Sequence, residues 1–169
     1  VFCYKAQVIW YKVIGHKVII KLKHSNELIA NQIYAVFQNS YKVEAQLICV
    51  LDFPPLSRDA KNILHSKTDF YGFIDNNTLA AVIEIEVSKT QLNIHSLVVD
   101  PKYFRKGIAD TLINYVLITF DITVATVETA IANKPAIHVY EKHGFREYKR
   151  WIPSHGIEKL AMSVVMSIT

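Results

Sequence analysis

Glycine is scarce in this chain: five residues, at positions 15, 72, 107, 144 and 156, each isolated from the others. Neither GxxxxGK[ST] nor GxGxxG can be assembled from them, which excludes two common glycine-rich phosphate loops. Cysteine is scarcer still. Cys3 and Cys49 make no metal or redox spacing and no disulfide framework, so a reducing, cytoplasmic setting is expected. The seven histidines show no spacing such as HxxxH with a nearby glutamate, and no metal centre is expected. A long uncharged apolar run is missing too: residues 1–20 are apolar and β-branched, but Lys5, Lys12, His16 and Lys17 interrupt them, so no membrane contact is expected. The chain opens on Val1 and shows no small-residue cleavage site. Residues 1–17 are expected to be an extension with no catalytic role, followed by a single domain over 18–169.

An excess of one charge is nearly absent as well. The net charge is +4 and the lysines are dispersed, without aromatic-interleaved basic stretches, so nucleic acid is not an expected partner. The local cluster Arg146, Lys149 and Arg150 reads as a solvated face. What the chain has is core: 51% of its 169 residues are hydrophobic and 20% charged, which suits one globular domain.

The most informative stretch is 96–109, SLVVDPKYFRKGIA. Leu97, Val98 and Val99 are strand formers, Asp100 and Pro101 stop the strand, and Ile108, Leu112, Ile113, Val116 and Phe120 recur at helical spacing. A helix therefore opens near Lys106 and Gly107. The first amides of a helix have no intrahelical acceptor and carry the positive end of its dipole, so they suit phosphate oxygens. Gly107 lets backbone come close, Ala109 keeps the next contact small, and Arg105 and Lys106 add positive charge. A second punctuated segment is 133–145, NKPAIHVYEKHGF: Asn133 can cap a helix, Pro135 suits its first turn, Gly144 can turn left-handed past its end, and Phe145 starts another strand.

Elsewhere the pattern predicts a strand at 18–23 and helices at 25–39, 43–50 and 57–65, the last two parted by Pro54 and Pro55. Strands at 68–74 and 79–87 form a hairpin through Asp75, Asn76 and Asn77; strands at 92–99 and 123–129 follow. One irregularity stands out. Ile94 lies three residues before Leu97 where strict alternation asks for two, so the strand needs an extra residue, and a bulge near His95 and Ser96 is expected.

This succession of strand, phosphate-type turn and helix, strand, short helix ending in Gly-Phe, and strand resembles the GNAT superfamily of N-acetyltransferases. The resemblance implies an α+β fold, a mixed central sheet in which an antiparallel meander joins a splayed parallel strand pair, flanked by helices. It implies that Arg105, Lys106, Gly107, Ile108, Ala109 and Asp110 bind the pyrophosphate of acetyl-CoA. Leu97, Val98 and Val99 would pair with the pantetheine arm like another strand, and Asn133 and Tyr140 would line the thioester end. The family's pyrophosphate pattern, Q/R-x-x-G-x-G/A, is met at Gly107 and Ala109, but its first position holds Phe104. The segment around Phe53, Pro54 and Pro55 would help shape the acceptor pocket.

Acetyl transfer to an amine needs a proton acceptor for the amine and a donor for the departing thiolate. Tyr140, four residues before Gly144, is the candidate donor. Glu84 and Glu86, on one face of their strand by alternation, and His95 at the suspected bulge are the candidate bases, with Glu128 a fourth. The expected function is direct transfer of acetyl from acetyl-CoA to an amine without a covalent enzyme intermediate. The alternative is a non-catalytic acyl-CoA-binding or regulatory module of the same fold. The expected partners are acetyl-CoA and an amine-bearing acceptor, with a homodimer left open.

Overall fold

In the computed structural model, residues 17–166 are described. The proposed extension, apart from Lys17, lies outside the described residues; Lys17 itself is the first described residue of a strand. The elements in chain order are β1 (Lys17–Leu22), α1 (Glu27–Leu47), α2 (Ala60–Leu64), β2 (Asp69–Asp75), β3 (Thr78–Ser88), β4 (Gln91–Val99), α3 (Ile108–Thr119), β5 (Val124–Ala130), α4 (Lys134–Lys142), β6 (Arg146–Trp151) and β7 (Lys159–Val165). Short 3-10 turns occupy Pro54–Ser57 and Pro101–Tyr103.

Seven strands form one sheet in the order β1-β2-β3-β4-β5-β7-β6. Every neighbouring pair is antiparallel except β4 and β5. A parallel pair needs a crossover, and α3 supplies it across one face. That face carries Ile83, Ile85, Leu112, Ile113 and Phe145, all fully buried. The opposite face is covered by α1 and α2 over Ile33, Phe37, Ile63, Phe70 and Val82. Each such side chain stabilises the fold by about 1.5–3 kcal/mol through its removal from water.

Two differences from the sequence pattern matter for the site. A single helix, α1, replaces the two expected at 25–39 and 43–50. Its buried stripe runs Ile33, Phe37, Tyr41, Ala45 without a break in its spacing of four, and Asn39, which looks like a helix stop, is solvent-facing and donates to Asp100 Oδ2 at 2.9 Å. The helix expected at 57–65 is shorter: Asp59 caps it through the Asn62 amide, and the Asn62 side chain accepts from the Asp59 amide.

The bulge is where the spacing asks for it. Glu84 on β3 faces Ser96, and its neighbour Ile85 faces Ile94, so His95 is the extra residue of β4. Both Ile94 and Leu97 thereby pack on the α3 side.

Candidate active site

The parallel pairing of β4 with β5 lasts only from Gln91 opposite Val124 to Ile94 opposite Val127. Beyond the bulge the strands part: residues 96–99 of β4 keep partners only on β3, and residues 128–130 of β5 only on β7. Two cavities open at this splay. The first, about 470 Å³, runs from Leu97 and Val99 past Arg105, Gly107 and Ala109 to Val139 and Tyr140. The second, about 240 Å³, lies towards the other side of the splay, among Tyr41, Phe53, Pro54, His95, Glu128 and His155. They share Glu44, Leu97, Asn133, Ala136 and Tyr140, which form a neck between them.

The first cavity ends at the start of α3. Gly107 is the N-cap with φ of +71°, and no side chain caps the helix. The amides of Ile108, Ala109 and Asp110 have no acceptor among the described residues. A Cβ built on Gly107 would meet nothing within 4 Å, and Arg105 is also left-handed, at φ of +60°. Successive turns of this kind with free amides make a concavity suited to phosphate oxygens, so these residues fit the pyrophosphate of a coenzyme A. The side chains divide. Arg105 and Phe104 border the cavity, whereas Lys106 turns its ammonium over the Tyr103 ring, 4.8 Å from the centroid. Asp110 is committed elsewhere: it pairs with Lys142 at 2.7 Å and His143 at 3.2 Å, and the Lys142 hydrogen bond leads in holding its carboxyl below the usual range. Leu97 and Val99 face the cavity, while Val98 points into the α1 core, so Val98 has only backbone to offer.

At the neck, Asn133 caps α4 by accepting from the Ala136 amide and donates its side-chain amide to Glu44 Oε1 at 2.9 Å. Gly144, at φ of +83°, ends α4 as expected. Tyr140 is 5% exposed, and its hydroxyl has no protein partner among the described residues. It is not walled off, because among the described residues no fully buried side-chain oxygen lacks a partner. Burial, with the nearby Glu44 carboxylate, pushes its phenol well above the ordinary value. Such a group keeps its proton and offers its O–H as a hydrogen-bond donor.

The four candidate bases are placed differently. Glu84 is 3% exposed, because α1 and α2 cover the strand face that alternation alone leaves open. Arg58 grips it with two hydrogen bonds of 2.6 and 2.9 Å, and Thr68 adds one of 2.6 Å. Burial alone would raise its carboxyl; the Arg58 and Thr68 bonds outweigh that and hold it below the usual range. Glu86 is exposed and pairs with His95 at 3.1 Å, outside both cavities. His95 lines the second cavity. So does Glu128, which is bound to Lys159 at 2.8 Å. Glu44 was not legible as a site residue: its partner Asn133 is 89 positions away, and only an unbroken α1 brings the two together.

A mixed sheet splayed at a bulge, flanked by helices and with free helix amides at one end of the opening, is the GNAT fold. The chain belongs to the GNAT acetyltransferase family: the profile described as "Acetyltransferase (GNAT) domain" matches residues 55–166. The ribosomal-protein-S18-alanine N-acetyltransferase from Escherichia coli superposes with a TM-score of 0.71 at 18% identity, covering 90% of this chain and 96% of that one. The PaiA N-acetyltransferase from Thermoplasma acidophilum, in complex with coenzyme A, gives 0.71 at 16% identity over 90% of this chain and all (100%) of that one. At these identities the likeness shows the fold. In sequence the chain is 35% identical over 127 residues to the UPF0157 protein YqkA of Bacillus subtilis (strain 168). The match takes in 75% of this chain but only 37% of that relative's length. Among the described residues, no helix is long and apolar enough to cross a membrane, and no group of three metal-binding side chains occurs.

Proposed function

We propose that this domain is an N-acetyltransferase that passes acetyl from acetyl-CoA directly to an amine acceptor. The observation that carries the reading is the neck: two cavities of different character meet at Tyr140, Leu97 and Asn133. Acetyl-CoA, when bound, supplies an acetyl group already activated as a thioester. The chain's own residues would do the rest. The first-turn amides of α3 hold the pyrophosphate, with Gly107 leaving room for it. The unpaired edge of β4 beyond the bulge offers backbone groups to the pantetheine amides, as a further strand would. Asn133 orients that arm at the neck, and Tyr140 donates its proton to the departing sulfur.

The test is release of free thiol from acetyl-CoA in the presence of a panel of primary amines. Amine-dependent release is expected. Coenzyme A binding without release for any amine would favour the non-catalytic acyl-CoA-binding module instead.

A further inference from the structure

We infer that Glu44 is the group that receives the acceptor's ammonium and takes its proton. The inference rests on the acetyltransferase reading and names what that reading lacks, a base at the transfer point. Two carboxylates line the acceptor-side cavity, Glu44 and Glu128. Glu128 already holds the Lys159 ammonium at 2.8 Å, whereas Glu44 forms no ion pair with a described residue. Only Glu44 of these two also borders the first cavity, so it sits where the acetyl carbon and the amine must meet. Its Oε1 accepts from Asn133, which leaves Oε2 free for the acceptor.

Its surroundings favour the role. The titratable groups facing this chamber are Tyr41 on the same helix, Tyr140 on α4, His95 on β4, Glu128 on β5, His155 before β7 and Lys159 on β7. The only lysine among them is taken by Glu128. Burial raises the Glu44 carboxyl above its ordinary value despite the Asn133 bond, so its proton affinity lies closer to that of an amine than an exposed carboxylate's does. In this partly desolvated position a cation is drawn to the carboxylate more strongly than in open water. The acceptor class is therefore a small primary amine that arrives as an ammonium ion.

The proton count closes. The ammonium nitrogen gives one proton to Glu44, and its freed lone pair forms the C–N bond to the acetyl carbon. The C–S bond breaks with its electron pair on sulfur, which takes the Tyr140 proton. The nitrogen, now acylated, returns its surplus proton to the Tyr140 oxygen through water, and Glu44 releases the first one to solvent. The ammonium loses two protons; one ends on the thiol and one in solution.

Two isosteric probes separate proton removal from mere positioning. Ethylamine is an ammonium ion at neutral pH, whereas methoxyamine is a neutral amine and needs no base before attack. Glu44→Gln keeps an oxygen for Asn133 and removes the basic site. It is expected to lower kcat/KM for ethylamine by about 10²-fold, the usual contribution of a general base, and to leave methoxyamine at about the native rate. Coenzyme A affinity by calorimetry should be unchanged. Native turnover of ethylamine by the variant would overturn the inference. Equal loss with both probes would also overturn it, assigning Glu44 to holding Asn133. A native protein that acetylates other amines of the panel but neither probe would overturn the small-amine acceptor class, whereas one that binds coenzyme A and acetylates no amine at all would instead overturn the acetyltransferase reading beneath it.

Discussion

Tyr140 is the proposed proton donor to the departing sulfur. Tyr140→Phe keeps the ring that packs on Phe145, with centroids 5.6 Å apart, and removes the hydroxyl alone. Turnover is expected to fall by about 10²-fold while coenzyme A affinity, read by calorimetry, is kept. Because burial raises this phenol, it stays protonated beyond the ordinary range, so native turnover should show no alkaline loss from its ionisation below about pH 10. Glu44 makes the opposite kind of prediction. A carboxyl raised in the folded state is one whose charge the fold tolerates poorly, so at neutral pH Glu44→Gln should raise the melting temperature while it lowers activity. Glu84 contrasts with both. Its lowered carboxyl contributes stability that is present above the unfolded value and lost as pH falls through the folded one. Arg58→Ala would leave it buried and unpaired, a loss of about 3–5 kcal/mol readable by urea unfolding. That Tyr140, Asn133 and Gly107 come together along one cavity was legible because each lies in a local punctuation signal. Glu44 and the burial of Glu84 were not, because both depend on α1 lying across the sheet.

At the scale of elements, the start of α3 and the bulge of β4 border the cavity proposed for the cofactor. Gly107→Glu places a carboxylate where the pyrophosphate is expected, in space that holds no protein atom within 4 Å of the new Cβ. Coenzyme A binding should be abolished. Gly107→Asn, which tolerates the left-handed backbone far better than other side chains, controls for the strain of φ +71° and should bind measurably in the same calorimetric titration. Phe104→Ala should bind as well as native, since the cradle is built from amides rather than from that side chain. The bulge was readable from three residues, Ile94, His95 and Leu97, because alternation on a two-sided strand admits no other solution. Helix boundaries were less readable. Asn39 carries the composition of a stop, but it lies on the exposed side of α1, and the buried stripe from Phe37 to Tyr41 and Ala45 carries the helix past it.

The whole molecule is a sheet with a separate core on each face, and the site lies where the sheet divides, so the two cavities are bounded by both helical layers. Three phenols belong to this frame: Tyr41 and Tyr140 are raised well above the ordinary value, mainly by burial, and Tyr71 is pushed up to about 12, again mainly by burial. Unfolded phenols ionise near 10, whereas these hold their protons higher. The folded state therefore binds more protons there, and stability that is full below about pH 10 should fall as pH rises beyond it. Urea midpoints measured across that range check this. Fold and family were legible because their signals are local and consecutive; the neck was not, since it joins α1, β4 and α4 across the chain. The central claim is that acetyl crosses this neck to an amine. The most direct measurement incubates the protein with acetyl-CoA and primary amines, then determines by mass spectrometry where the acetyl group resides. N-acetylated amine in stoichiometric amount with free coenzyme A, and a protein of unchanged mass, is the predicted result; bound coenzyme A with no acetylated amine, or acetyl retained on the protein as an intermediate, would contradict it.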